Sequence, residues 1–160
     1  MDNTNLNSPV VFPDFLLSGS EPPLPRITPG SQFEPRKTTN KPKRILLIDD
    51  EAAITESLTE ILNGAGYEAL AFQDGYAAIE SARHLCPDIV LSDVVMPKLN
   101  GVETVIMIRQ ICAATRIVLF SGQSGTADIL QKARSKGHEF ELLPKPIHPD
   151  DLLKRLSALR

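Results

Sequence analysis

Pro87-Asp88-Ile89-Val90-Leu91-Ser92-Asp93-Val94-Val95-Met96-Pro97 is the stretch whose reading decides the fold. It opens on a proline and an acid, then runs apolar through Ile89, Val90 and Leu91. A run so short and β-branched, closed by a turn, reads as a strand buried on both faces of a parallel sheet. The run stops at a carboxylate, Asp93. In open α/β sheets, sites form in the crevice beyond the carboxyl ends of the strands. Asp93 is therefore the candidate chemical centre.

The flanking segments repeat the pattern. Arg44-Ile45-Leu46-Leu47-Ile48 is a compact apolar strand ending in three acids, Asp49-Asp50-Glu51. Ile54, Leu58, Ile61 and Leu62 then recur at helical spacing, and Gly64-Ala65-Gly66 stops that helix. Tyr67 to Phe72 reads as a second strand. Asp74-Gly75 turns into a helix carrying Ala78, Ile79 and Ala82, which ends before Pro87. After the Asp93 strand, a turn-rich Met96 to Gly101 leads to a helix with Val102, Val105, Ile106 and Ile108. Arg116 to Phe120 is a fourth strand, followed by Ser121-Gly122, and Thr126 to Lys136 a fourth helix. Phe140 to Leu143 is a short fifth strand before Pro144-Lys145-Pro146, and Asp150 to Leu159 is the last helix. Five strand–helix alternations call for an α/β fold with a parallel sheet, helices on both faces and right-handed crossovers. The expected architecture is a flavodoxin-like (βα)5 doubly wound sheet with strand order 2-1-3-4-5.

Length and composition bound the function. At 160 residues and 42% apolar, the chain suits one domain with a tail. A net charge of −3 supplies no basic field to grip nucleic acid directly. No apolar run approaches the ~20 residues of a membrane span, and Met1 to Asn5 lacks the basic start of a secretory signal. The cytoplasm is the expected location. Cys86 and Cys112 fit neither a disulfide framework nor paired zinc spacing, and read as small packed hydrophobes in a reducing compartment. Residues 1–42 hold eight of the thirteen prolines (Pro9, Pro13, Pro22, Pro23, Pro25, Pro29, Pro35 and Pro42) and read as a disordered, proline-rich tail before a domain at 43–160. Within the tail, Val10 to Leu17 is one apolar patch, read either as a docking motif or as incidental.

Four strand ends carry chemistry. The first offers Asp49 and Asp50, the third Asp93, the fourth Ser121 and the fifth Lys145. In the expected order the first and third strands are neighbours, so three carboxylates converge. Three such groups do not all stay ionised without a counter-ion, which a hard divalent cation such as Mg²⁺ provides. With a lysine opposite and a hydroxyl beside a small Gly122, this describes a phosphoryl site. Taken singly, each residue has an ordinary reading: Asp49 or Asp50 as a helix cap, Ser121 as a turn residue, Lys145 as simply exposed. Five of them at four strand ends outweigh coincidence.

Leu47-Ile48-Asp49-Asp50-Glu51, Asp88 to Pro97, Ser121-Gly122 and Lys145-Pro146 together resemble the motif set of response-regulator receiver domains of bacterial two-component systems, over residues 43–160. The resemblance implies that Asp93 accepts a phosphoryl group from a histidine kinase or phosphotransfer protein. It implies that Asp50 binds Mg²⁺ directly, Asp49 mainly through water, and that Asp93 and the Val95 backbone carbonyl complete the protein ligands. Lys145 and Ser121 would hold the phosphoryl oxygens, and Lys145-Pro146 would be cis. Such a protein is a phosphoacceptor rather than an enzyme turning over a separate substrate.

The chain departs from that pattern in three places. The fifth strand of the family carries an aromatic switch residue. Counting back from Lys145 gives Leu142 and counting forward from Gly137 gives Glu141, neither aromatic, with Phe140 out of register. Val95 is apolar and cannot orient an attacking water, which predicts a slowly hydrolysed phosphoryl group. The chain closes at Arg160 after the last helix, so a receiver without an output domain, acting by docking or relay, is expected. The helix 4–strand 5 face, with Lys132, Arg134, Lys136 and His138, is the expected partner surface, or else an ordinary solvated face. His84, His138 and His148 show no metal-ligand spacing.

Rival classes fit less well. A haloacid-dehalogenase-type phosphatase needs Asp-x-Asp after the first strand, where Glu51 stands instead of the second Asp. A flavodoxin-type FMN binder needs a phosphate-cradling loop where three acids would repel phosphate. The remaining alternative is a receiver-like interaction module that works without phosphorylation.

Overall fold

The computed structural model describes residues 41–122 and 125–159. The proline-rich stretch and its Val10–Leu17 patch lie outside the described residues. The elements are β1 (Arg44–Ile48), α1 (Ala52–Gly64), β2 (Glu68–Phe72), α2 (Gly75–His84), β3 (Ile89–Asp93), α3 (Gly101–Ile111), β4 (Arg116–Ser121), α4 (Thr126–Ser135), β5 (Glu141–Pro144) and α5 (Pro149–Ala158). The five strands form one sheet in the order β2-β1-β3-β4-β5, parallel throughout. This is the flavodoxin-like arrangement expected from the alternation.

The apolar runs divide between the two faces because successive strand side chains point opposite ways. Leu46, Ile48, Val90, Ile117 and Leu119 pack with Ala78, Ile79, Val105 and Ile108 of α2 and α3. Ile45, Leu47, Ile89, Leu91, Val118 and Phe120 pack with Leu58 and Leu62 of α1 and Leu152 and Leu156 of α5. Every residue of β3 is buried, which is why its sequence runs apolar rather than alternating. The two buried faces clamp the central strands, so the residues at their ends are held rigidly.

Local signals set the helix starts. Asp74 caps α2 through its side chain, accepting from the Ala77 N–H at 2.9 Å. Asn100 and Glu103 form a reciprocal capping box at the start of α3, and Pro149 opens α5. The fifth strand begins one residue later than the sequence suggests. Phe140 instead packs beneath the Arg109 guanidinium, 5.1 Å from the ring centre, and stacks on His138. The backbone pairing with β4 begins at Glu141, opposite Val118.

The two cysteines correct the sequence reading. Cys86, just after α2, and Cys112, which caps the end of α3, form a disulfide across 26 residues with Cα atoms 5.6 Å apart. They do not pack as separate small hydrophobes. The crossovers lay α2 and α3 side by side on one face and bring their C-terminal ends together. Residue spacing along the chain does not show this.

Gly101 is where the helix meets the site. A Cβ there would lie 1.7 Å from the backbone oxygen of Asp93. Its N–H donates to the Val94 oxygen at 3.0 Å, so α3 starts pressed against the end of β3. We expect Gly101→Ala to lose about 3 kcal/mol or more in urea titration, since a backbone atom has to yield. Gly64→Ala, where nothing lies within 4 Å, should stay within about 1 kcal/mol of the native chain. Equal effects of the two would refute the close approach.

Candidate functional site

β1 and β3 are adjacent and in register from Ile45↔Ile89 to Ile48↔Ser92. Their carboxyl ends therefore lie side by side, and Asp49 follows one as Asp93 ends the other. Asp49 is fully buried, Asp93 is 7% exposed and Asp50 faces solvent. Carboxylate oxygens of all three lie within 4.8 Å of one another. The ordinary reading of the first two as helix caps fails. The residue at the cap of α1 is Glu51, with no side-chain cap, and Asp49 Oδ1 instead accepts from the Glu51 N–H at 3.0 Å.

Lys145 reaches in from the far side of the sheet. β5 pairs with β4 so that Pro144 lies opposite Ser121, and the Lys145 N–H donates to the Ser121 carbonyl at 2.9 Å. The peptide bond to Pro146 is cis, as the motif implies. The Lys145 Nζ donates to Asp49 Oδ2 at 2.7 Å and lies 3.2 Å from Asp93 Oδ2. One ammonium thus ties two neighbouring carboxylates. Ser121 is the last residue of β4, one position beyond Phe120, the partner of Asp93. It is half-buried at the same end of the sheet.

The electrostatics follow from this crowding. Burial pushes the Asp93 carboxyl above its ordinary value, and the nearby Asp49 charge adds to it. Lys145 and the Val95 backbone work against that rise without cancelling it. For Lys145, burial works to lower the pKa. The hydrogen bonds and charges of Asp49 and Asp93 outweigh it and hold the ammonium above its usual range. Three converging carboxylates and a single lysine leave negative charge in excess. Oxygen donors so placed could hold a divalent cation.

Val94 is buried while Val95 is 45% exposed, so the residue two beyond Asp93 faces outward. Leu142 pairs with Leu119 across β4 and β5 and is exposed, and Glu141 pairs with Arg155 of α5. On and just after α4, Lys132, Arg134 and Lys136 are exposed. What sequence reasoning missed is a groove of about 590 Å³ between α1 and the segment after β5. Its walls include Ile54, Leu58, Ile61, Pro146 and Ile147, and Lys145 lines it too. The helical spacing marked those isoleucines as core. Only the tertiary placement shows that part of the stripe stays open beside the acids.

A pH test follows. The folded chain favours neutral Asp93, so this group's contribution to stability is greatest below the ordinary value of 3.8. It declines as pH rises through the elevated one. Asp93→Asn should lack that decline and should be at least as stable as the native chain at neutral pH without divalent cations. Urea titrations of both chains across the acid and neutral ranges would show it, and a variant weaker at neutral pH would contradict the cause given.

Comparison with known proteins agrees with this geometry. A family model described as the response regulator receiver domain matches residues 45–157. The chemotaxis protein CheY of Thermotoga maritima is 30% identical over 118 residues, covering 73% of this chain and 97% of that one. The DNA-binding response regulator MtrA of Mycobacterium tuberculosis is 32% identical over 116 residues, or 72% of this chain. The chain matches only half the length of MtrA. Among solved structures, the chemotaxis protein CheY4 of Vibrio cholerae matches at a TM-score of 0.65 and 29% identity, covering 74% of this chain and 99% of that one. Among the described residues, no helix is long and apolar enough to cross a membrane. The match runs through every strand end that carries an acid or the lysine, and the chain belongs to the response-regulator receiver-domain family of two-component systems.

Proposed function

We propose that Asp93 is a phosphoryl acceptor, served by a histidine kinase or phosphotransfer protein, and that the chain signals in the cytoplasm by docking or by phosphorelay. The observation that carries this is the Asp93 carboxylate at the end of β3, grouped with Asp49 and Asp50 and linked to Lys145. An Asp93 oxygen attacks phosphorus as the bond to the donor's imidazole nitrogen breaks, and the imidazole leaves with that electron pair. Lys145 and the Ser121 hydroxyl balance and hydrogen-bond the transferred oxygens. Asp50, Asp49, Asp93 and the Val95 carbonyl are the residues that would hold Mg²⁺. When bound, the ion neutralises charge on the phosphoryl oxygens. An exposed, apolar Val95 supports a long-lived aspartyl phosphate, because its side chain offers no group to orient water.

The groove supports a site for the donor. Lys145 lies both on its wall and on Asp93, so a partner helix laid along α1 brings a histidine to the acceptor. The α4–β5 face, with Lys132, Arg134, Lys136 and exposed Leu142, is the proposed surface for the downstream partner.

Intact mass after incubation with Mg²⁺ and a small phosphodonor tests the central reading. We expect the gain of one phosphoryl group in the native chain, and none in Asp93→Asn or without Mg²⁺. No gain in a folded chain would favour the phosphorylation-independent module. The groove has its own test. Ala53→Glu puts a charge on an exposed position of its wall. It should slow transfer from a phosphorylated histidine protein by tenfold or so, about 1.4 kcal/mol, while leaving the small donor's rate unchanged. Equal slowing of both donors would contradict it.

A further inference from the structure

We propose that the Cys86–Cys112 pair is a reversible modification site for an acidic peptide thiol, at the opposite end of the sheet from the phosphoryl acceptor. The cross-link joins the C-terminal ends of α2 and α3, and those helices already pack closely along their length. It sits beyond the amino end of β3, whereas Asp93 ends that strand. Its two cysteines are unequal. Cys86 is exposed, whereas Cys112 is 4% exposed with its sulfur 3.6 Å from the Ala82 carbonyl. A disulfide with one half in solvent is open to attack at that half, and thiol exchange depends on such access.

The surroundings select the attacker. A cleft of about 430 Å³ contains both cysteines together with Lys43, Asp88 and Arg116. A second cleft flanks Cys86 with Lys41, Lys43 and Arg44. Among the described residues Asp88 is the one acid in either, and its carboxylate already accepts from the Arg44 backbone N–H at 2.8 Å. Among the described residues, the one contact of Lys43 Nζ is long, 3.4 Å to the Leu159 oxygen. The field at Cys86 is therefore positive. It favours a thiol carrying carboxylates over a neutral or cationic one.

The exchange balances as follows. A peptide thiolate attacks Cys86 Sγ and the Cys86–Cys112 bond breaks. The electron pair leaves on Cys112 Sγ, which takes the proton the peptide thiol lost. A second peptide thiolate attacks the peptide sulfur of the mixed disulfide; the electron pair leaves on Cys86 Sγ, which takes the proton the second thiol lost. Two peptide thiols are oxidised to one peptide disulfide while the protein disulfide is reduced to two thiols. The reverse sequence, with the peptide disulfide as oxidant, restores the cross-link.

The test uses the full native chain, with glutathione as the acidic thiol, cysteamine as the cationic one, and alkylation followed by mass to count thiols. Glutathione should open the cross-link without denaturant, and glutathione disulfide should close it again. Its rate should exceed that of cysteamine several-fold at equal thiolate, and the difference should shrink in high salt. Lys43→Gln with Arg116→Gln should slow glutathione and not cysteamine. In glutathione disulfide, Cys112→Ser should leave Cys86 to take one glutathione as the other leaves as the thiol, whereas Cys86→Ser should leave Cys112 unmodified in the folded chain. Opening only in denaturant, or two thiols that stay unpaired in glutathione disulfide, would overturn the proposal. Equal, salt-insensitive rates for the two thiols would overturn its acidic partner.

Discussion

The Lys145 ammonium between Asp49 and Asp93 is the contact on which the rest of the site depends. Asp49 is fully buried, and a buried carboxylate needs compensation. The lysine that supplies it comes from the fifth strand's end, with β3 and β4 lying between it and the strand that carries the acid. The sheet must therefore be complete, through β5, before the acids have their partner. The site therefore draws on three strand ends that only the complete sheet brings together.

That partnership does not exhaust the charge. One ammonium faces three carboxylates, and Asp93 is held with a raised pKa by burial and by Asp49. Carboxylates under that pressure suit a nearby cation. The same crowding would be a defect in a purely structural strand end. The rigid setting matters as well. β3 is covered on both faces, and Gly101 brings α3 against the Asp93 backbone. Asp93 is thus placed by packing rather than by a loop.

The two ends of the sheet have different characters. The carboxyl end is acidic and centred on Asp93. Beyond the amino end lie a basic rim and an exposed cysteine covalently joined to a buried one. α3 touches both, through Gly101 at one end and Cys112 at the other. A parallel sheet separates the two by the length of its strands, so each chemistry has its own face.

By itself the sequence determined what depends on local pattern and on alternation. The apolar run from Ile89 to Leu91 marked a doubly covered strand, and five strand–helix repeats implied the sheet order. Asp49, Asp50, Asp93, Ser121 and Lys145 stood out because strand ends in such a sheet converge on one edge. Tertiary structure decided what depends on distance between remote segments. The capping reading of Asp49 and Asp50 could not be dismissed until Glu51 was seen at the helix start. Phe140 reads as strand until Arg109 and His138 are found around it. Cys86 and Cys112, 26 residues apart, look unrelated until two helices lie side by side. Periodicity records which face of an element is apolar, but not what packs on it, nor which ends the crossovers bring within bonding distance.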